Sequence, residues 1–228
     1  VIWAEFASTS SIRDRYYDND ATKTDLSSYL KATYKYKKAT FYGDVQFRHI
    51  DYAFLGIDHI QGAIQAVDQQ VKYNFINPKA GFMYDFNYKN NLYVSVAIAN
   101  REPVRNDFRE NTPENRPDPE QLINTEIGYR YTNQRLLVKA NAYHMYYNNQ
   151  LILTGEINDV GGYTRTNVDQ SYRLGVELEA GYKINRKLSV TANLTLSQNK
   201  VAEFNEYIDN YDVGGQDTIT HLNTDLAF

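Results

Sequence analysis

The sequence of 228 residues contains no cysteine. This absence excludes disulfide scaffolds, thiolate metal sites and thiol nucleophiles, and it says nothing about the compartment. No stretch approaches the roughly 18 consecutive apolar residues of a transmembrane helix. The net charge of −4 argues against a nucleic-acid partner. The four histidines lack the spacing of metal ligands, so neither a metal site nor a cofactor is predicted.

Motifs for catalysis are also missing. The sequence has no recognisable Ser-His-Asp constellation, glycine-rich phosphate loop or zinc signature. Glu177 and Glu179 are two positions apart, but no enclosed pocket is implied around them and free hydration is expected. The sequence therefore predicts no enzyme and no catalytic residue. A barrel hydrolase with a serine or histidine at its rim is a formal alternative that nothing in the sequence favours.

Aromatic residues are abundant, with 21 tyrosines and 10 phenylalanines beside a single tryptophan. Tyrosine at this level suits the aromatic girdles of membrane proteins, and it also suits β-sandwiches or polar recognition surfaces. The mean hydropathy of −0.62 does not exclude a membrane barrel. A barrel strand needs apolar residues at alternate positions only, and its loops are polar.

The clearest pattern is a hairpin over Tyr172–Ser197. Apolar residues take alternate positions on both arms, and carboxylates, hydroxyls and amides take the others. Each arm approaches the ~9–11 residues with which a tilted strand crosses a bilayer. Because even-numbered residues are apolar on both arms, the connecting loop needs an odd length, which predicts that Ile184 and Leu188 flank Asn185–Lys187. Lipid on one face and water on the other would explain this pattern.

Similar alternation predicts roughly ten strands in the whole chain. The other strands are predicted at Ile2–Phe6, Tyr29–Lys38, Phe41–Phe54, Ala80–Phe86, Leu92–Ile98, Ile123–Tyr131, Leu136–Ala142 and from Ile219 onward. Leu151–Leu153 can extend a strand, and Arg13–Ser28 is interpreted as a loop. The spacing of apolar residues within Gly56–Val71 fits a short helix, and an irregular loop fits equally well.

Short and long connections alternate along the chain. Short turns are predicted near Ala39, Asn90, Asn133 and Asn185; long loops are predicted at Gly56–Asn77, Asn100–Gln121, Asn148–Gln170 and Asn199–Thr218. A soluble sandwich has no reason to keep this alternation, whereas an outer-membrane barrel has short periplasmic turns and long extracellular loops. The predicted fold class is therefore all-β, an antiparallel up-and-down meander.

Three stretches resemble a known family. NPKAG (Asn77–Gly81), SVAIANREPVRNDF (Ser95–Phe108) and NDVGGYTRTNVDQSYRLGVELEAG (Asn158–Gly181) are similar to the barrel region of TonB-dependent outer-membrane receptors, above all the Bacteroidetes-type iron-complex receptors. The resemblance implies a roughly 22-stranded transmembrane β-barrel with a plug domain. It also implies a location in the outer membrane of a Gram-negative bacterium. The similarity begins inside the barrel and stops before its last strands, so residues 1–228 are expected to form a partial barrel without the plug.

The resemblance implies a function as the barrel wall and outer loops of a transporter for a scarce ligand, such as an iron–siderophore or related metal complex. The expected partners are outer-membrane lipid, the receptor's own plug domain, the TonB complex and the small-molecule metal complex. An alternative is a secreted β-rich carbohydrate-binding or adhesin module. The unpaired edges at Val1–Ala7 and Ile219–Phe228 predict that the isolated chain self-associates or depends on detergent.

Candidate ligand-binding residues lie in two loops. Arg101, Arg105 and Arg109 occupy the first loop, and Tyr163 with Arg165 occupies the second. Guanidinium groups suit the anionic groups of an iron chelate. The alternative is a solvated loop whose mixed charges pair with one another or with lipopolysaccharide.

A second set of charged residues is expected to face the lumen and to line or brace the plug. This set is Glu126, Arg130, Lys139, Glu177 and Glu179. The alternative is that these are simply hydrated interior positions.

Overall fold

A computed structural model describes residues 18–60, 63–66, 68–109, 116–157, 163–212 and 214–225. Over these residues the chain forms ten strands and one short helix. The elements are β1 Asp18–Tyr36, β2 Ala39–Ile60, β3 Ala63–Ala66, β4 Gln69–Asn87, β5 Asn90–Arg101, α1 Arg105–Arg109, β6 Glu120–Thr132, β7 Leu136–Ile157, β8 Tyr163–Lys183, β9 Ser189–Asp209 and β10 Gln216–Asp225. No helix in these ranges has the length and apolar character to cross a membrane.

The strands form one antiparallel sheet in chain order. The order is β1-β2-β4-β5-β6-β7-β8-β9-β10, and the short strand β3 pairs with β2. Each strand between β2 and β9 on this path therefore pairs with the strand before it and the strand after it, whereas β1 and β10 have one partner each among the described residues. The prediction of an antiparallel up-and-down meander with about ten strands is confirmed.

Register places the apolar residues of neighbouring strands side by side. One row across the sheet consists of Tyr34, Phe41, Phe82, Val94, Ile127, Ala142, Val176 and Leu196. Several of these side chains are exposed, including Tyr34 at 65% and Leu196 at 64%. We call the side of the sheet that bears this row the apolar face.

The opposite side carries polar residues and is called the polar face. Its neighbouring row consists of Lys35, Thr40, Met83, Tyr93, Gly128, Asn141, Glu177 and Thr195. Each of these residues is the chain neighbour of a residue in the apolar row, as the twofold period of a strand requires. The alternation read from the sequence thus separates two chemically different faces.

The short turns all lie at the same end of the strands, at residues 37–38, 88–89, 133–135 and 184–188. In the last turn the N–H of Ile184 donates to the carbonyl of Leu188 at 3.0 Å. The side chain of Asn185 accepts from the N–H of Lys187 at 2.8 Å and from that of Leu188 at 3.0 Å. This confirms the predicted three-residue loop, and Asn133 accepts two backbone N–H groups in the same way.

Three predicted loops are wrong, because the strands continue through most of their length. The described part of Arg13–Ser28 lies in β1; Asn148–Gln170 lies mostly in β7 and β8; Asn199–Thr218 lies mostly in β9 and β10. These stretches have polar residues on both faces, so hydropathy does not alternate although backbone pairing continues. Asn149 also has a φ of 54°, which interrupts the regular alternation of β7.

The possible helix within Gly56–Val71 is not formed by the described residues. There β2 extends to Ile60, β3 turns back onto it, and β4 begins at Gln69. The long loop predicted at Gly56–Asn77 is therefore also wrong, because strands occupy most of its described residues. The long connection predicted at Asn100–Gln121 is confirmed, and it contains the short helix α1. The strand predicted at Ile2–Phe6 and the edge at Val1–Ala7 lie outside the described residues.

Three tyrosines on the polar face lie flat against glycines of the next strand. A Cβ atom added to Gly81, Gly128 or Gly175 would come within 2.2, 2.2 and 2.5 Å of the ring of Tyr42, Tyr93 and Tyr143, respectively. The missing side chain therefore makes room for each ring. Tyr93 of β5 crosses β6 in this way, and its hydroxyl donates to Asn141 Oδ1 of β7 at 2.9 Å.

Replacement of Gly128 by alanine is expected to displace the Tyr93 ring and break its hydrogen bond to Asn141. Overpacking of this kind lowers the free energy of unfolding by about 1–3 kcal/mol. Gly181→Ala is the matched control, because its added Cβ would lie at an ordinary 3.4 Å from Thr191 Cγ2. Urea unfolding in detergent micelles measures both changes. A Gly128→Ala cost that persists unchanged in a Tyr93→Ala background would contradict this explanation.

Candidate functional site

An open cavity of about 520 Å³ lies on the polar face. Its lining side chains come from six consecutive strands, β4 to β9. Such a lining requires the sheet to curve with the polar face on its concave side. Four residues from the predicted lumen-facing set line this cavity, namely Arg130, Lys139, Glu177 and Glu179.

The charged groups in the cavity are hydrated rather than locked together. Lys139 Nζ donates to Glu179 at 2.9 Å, with 46% and 44% of the two side chains exposed. Asn141 Nδ2 contacts Glu177 at 3.4 Å. An exposed ion pair contributes only about 0–1 kcal/mol, so these groups keep most of their capacity to bind another surface.

A second cavity of about 330 Å³ adjoins the first and contains Glu126 and Arg173. Asn124 donates to Glu126 at 2.7 Å, and the Arg173 guanidinium lies 5.2 Å from the centre of the Tyr147 ring. Arg173 was not among the predicted site residues. Arg173 has an odd residue number, like Glu177 and Glu179 on the same strand, and this shared parity was the signal that could have placed it on the polar face.

The connection between β5 and β6 folds onto the polar side of the sheet. We call residues 102–108 the inner segment. Phe108 is 1% exposed, and its ring lies 5.4 Å from that of Phe54 and 6.3 Å from that of Tyr52 on β2. Further members of this apolar cluster are Ile50, Val71 and Phe75. The inner segment thus covers apolar residues that β2 and β4 place on the polar face.

Glu102, the first residue of the inner segment, anchors the segment to β1 and β2. Its side chain is 8% exposed and accepts from Lys23 of β1 at 2.7 Å and from Arg48 of β2 at 2.8 Å. Arg48 also donates to Asp25 of β1 at 3.0 Å. Burial by itself would raise the pKa of Glu102. The hydrogen bonds from Lys23 and Arg48 together lower the pKa by more than burial raises it, so the pKa lies below its usual value.

Two other carboxylates, Asp107 in this connection and Glu120 at the start of β6, are also buried and bound. Asp107 accepts from the N–H of Val104 at 2.8 Å and lies 3.7 Å from Arg165 of β8. Glu120 accepts from the N–H of Leu151 at 2.6 Å and pairs with Arg101. The acidic groups therefore face the sheet, where their charges are compensated.

The predicted ligand-binding arginines have different surroundings. Arg101 pairs with Glu120 and Arg165 faces Asp107, whereas Arg105 is exposed and donates to the side-chain amide oxygen of Asn19. The side chains of Arg109 and Tyr163 lie outside the described part of the chain. Sequence reasoning missed Lys23, Arg48 and Phe108; the lone aromatic residue in a proline-rich charged loop was the available signal for Phe108.

Comparison with a family model identifies the barrel. Residues 3–224 match the model of the TonB dependent receptor-like β-barrel. The chain belongs to this family. No group of three or more potential metal-ligating side chains occurs among the described residues of this receptor barrel. No curated relative matches the chain.

Solved structures with the same fold include several receptors and transporters. The ferric citrate transporter FecA shares 19% identity at a TM-score of 0.66, covering 84% of this chain and 28% of that one. The ferric yersiniabactin uptake receptor FyuA of Yersinia pestis shares 16% at 0.65, covering 85% and 33%. The copper transporter OprC shares 16% at 0.69, covering 80% and 30%. The chain thus spans about a third or less of these relatives, and identities this low show the fold alone.

Glu102→Gln is expected to weaken the attachment of the inner segment in a pH-dependent way. Loss of a buried charged acceptor lowers the free energy of unfolding at pH 7 by about 1.5–3 kcal/mol. Because the pKa of Glu102 is lowered, its stabilisation is complete above the usual pKa of about 4.3 and disappears as pH falls through the lowered value. The difference between wild type and Glu102→Gln should therefore decrease as the pH falls below about 4.3.

Urea unfolding of the receptor between pH 7 and pH 3 measures this difference. Glu179→Gln is the matched control, because its exposed ion pair with Lys139 contributes at most about 1 kcal/mol. Equal losses for Glu102→Gln and Glu179→Gln at pH 7 would show that Glu102 is not a buried anchor.

Proposed function

We propose that this chain forms wall and external-loop portions of an outer-membrane receptor that takes up a scarce small ligand, an iron–siderophore or related metal complex. The observation that carries the proposal is the two-faced sheet. Apolar residues lie in register across one face, and a polar cavity lies on the other, concave face. Lipid around the sheet and water within it fit both faces.

The two ends of the strands would face different compartments. In the proposed orientation the end with the tight turns faces the periplasm, and the end with the long hairpins and the inner segment faces the cell exterior. A ligand arriving from outside would then meet the inner segment before it reaches the polar cavity. Energy for transport would come from the TonB complex, which acts on the family's barrels together with a plug domain.

The cavity residues would contact the plug in the complete receptor. Arg130, Lys139, Glu177 and Glu179 carry hydrated charges of both signs, and Glu126 lies in the adjoining cavity. Charges of this kind suit a reversible interface, because their exposed ion pairs add little stability and can be exchanged for pairs across the interface.

The proposed ligand-binding residues lie around the inner segment and the start of β8. Arg101, Arg105 and Arg165 supply guanidinium groups, and Arg109 and Tyr163 belong to the same two stretches of chain. Carboxylate, catecholate and hydroxamate chelates of iron carry anionic oxygens that guanidinium groups bind well. The relatives named for ferric citrate, ferric yersiniabactin and copper support a metal complex as the ligand class.

Uptake of radioactive iron tests this function. A bacterium that lacks the receptor gene is compared with the same strain carrying the gene on a plasmid, each offered a panel of ferric siderophores under iron limitation. Energy-dependent uptake that requires both the gene and TonB is expected for at least one chelate. If no chelate in the panel depends on the gene, the proposed uptake of iron–siderophore complexes is wrong.

Arg105→Ala is expected to weaken binding of an anionic chelate. Loss of one charge-assisted hydrogen bond costs about 1.5–3 kcal/mol, which corresponds to roughly a 10- to 150-fold weaker affinity. Arg186→Ala is the matched control, because Arg186 is also exposed but lies in the tight turn between β8 and β9, at the opposite end of the strands. Equilibrium binding to purified receptor measures both variants, and equal effects would rule out a specific role for Arg105.

Val176→Arg tests whether the apolar face contacts lipid. An arginine near the middle of the bilayer should cost about 2–4 kcal/mol. Thr191→Arg is the control and should cost far less, because Thr191 lies opposite Gly181 on the polar face. Unfolding in lipid vesicles measures both costs. Equal costs would favour the alternative of a secreted module with two buried faces.

A further inference from the structure

The inner segment, residues 102–108, has a buried side and an exposed side. Glu102, Asp107 and Phe108 are 7%, 3% and 1% exposed, and Pro103 is below 2%. Val104 between them is 51% exposed, and Arg105 is exposed as well. Four of the seven residues are therefore held against the rest of the protein, and the others project away from it.

The anchors of the inner segment contact strands that are far apart in the sheet. Glu102 binds β1 and β2, and Phe108 packs on β2. Asp107 faces Arg165 of β8, which is separated from β2 by four strands of the meander. A segment that contacts both places crosses the concave side of the curved sheet, in the manner of a strut, instead of following its rim.

Displacing the inner segment would have several consequences at once. Phe108 and the aromatic residues beneath it would be exposed to water. Glu102 would leave Lys23 and Arg48, and Asp107 would leave Arg165. A lid that opens in each transport cycle is normally held by few buried contacts, because its opening free energy must be small. The inner segment has the opposite character.

We propose that the inner segment is a fixed specificity element. It stays docked throughout transport, narrows the path above the polar cavity and presents the exposed guanidinium of Arg105 to the anionic groups of the passing ligand. The inference rests on the proposed uptake function for the identity of the ligand, and on the contacts above for the immobility of the segment. Phe108 then acts as a positioning residue that sets the width of the path.

A fixed element has a clear advantage for selection. Arg105 donates to a neutral amide oxygen of Asn19, which orients the guanidinium. A preoriented cation binds an anion without paying again for ordering the side chain. The size and the charge of a ligand are then both selected at this segment, because a ligand must fit beside the inner segment to reach Arg105.

A reversible cross-link tests immobility in the full receptor. Lys23→Cys and Glu102→Cys are combined and joined by a short bis-methanethiosulfonate reagent, which dithiothreitol removes; the chain itself contains no cysteine. Uptake of the ferric chelate by the cross-linked receptor should stay within twofold of uptake by the same variant after reduction. A tenfold or larger loss that reduction restores would overturn the proposal and make the segment a moving lid.

A second variant tests selection by size. Phe108→Ala removes the anchor, whereas Phe108→Leu keeps most of the buried apolar volume. The ratio of uptake of a bulky to a compact ferric siderophore should rise at least fivefold in Phe108→Ala and stay near the wild-type ratio in Phe108→Leu. An unchanged ratio in Phe108→Ala, with the protein folded and surface-exposed, would overturn the role in selection.

Thiol labelling separates failure of this inference from failure of the uptake function. Pro103→Cys and Val104→Cys are adjacent single-cysteine variants, one buried and one exposed. A membrane-impermeant maleimide should react at least tenfold faster with Val104→Cys, with or without added ferric chelate. Comparable rates would show that the segment is not docked, even if the receptor transports the chelate. A large difference in a receptor that transports no chelate would refute the uptake function and leave the docked segment standing.

Discussion

Backbone pairing between neighbouring strands is the constraint on which the rest of this structure depends. A sheet exposed to lipid must satisfy its peptide N–H and C=O groups internally, because hydrocarbon offers no partner. Antiparallel pairing links neighbouring strands from β1 to β10 and meets this requirement along the meander, with local register shifts in β4 and β7. With the backbone satisfied, side chains are free to divide between a lipid-compatible face and a hydrated one. The apolar stripe and the polar cavity are both consequences of that division.

The polar side is not uniformly hydrated, and this difference organises the site. Around the cavity, Lys139 and Glu179 remain half exposed. Beneath the inner segment, Glu102 and Phe108 are buried among cations and aromatic rings. The first region suits contacts that form and break, and the second suits a permanent attachment.

Much of the fold was predictable because strand period and turn chemistry are local properties. The alternation in Tyr172–Ser197 identified both faces, and its parity identified the loop between Ile184 and Leu188. Hydropathy could not show where strands end, because β7 and β8 continue with polar residues on both faces. The error at Asn148–Gln170 has that cause. Charged positions such as Glu177 were assigned from the same local alternation.

What the sequence by itself determined is therefore the all-β meander, the two faces, the tight turns and the resemblance to a receptor family. Each depends on residues within a few positions of one another. Only the tertiary structure decided that Glu102 binds Lys23 and Arg48, that Phe108 fills an aromatic cluster, and that Tyr93 crosses Gly128. These contacts join residues far apart in the chain, and no periodicity encodes which distant side chains a curved sheet brings together.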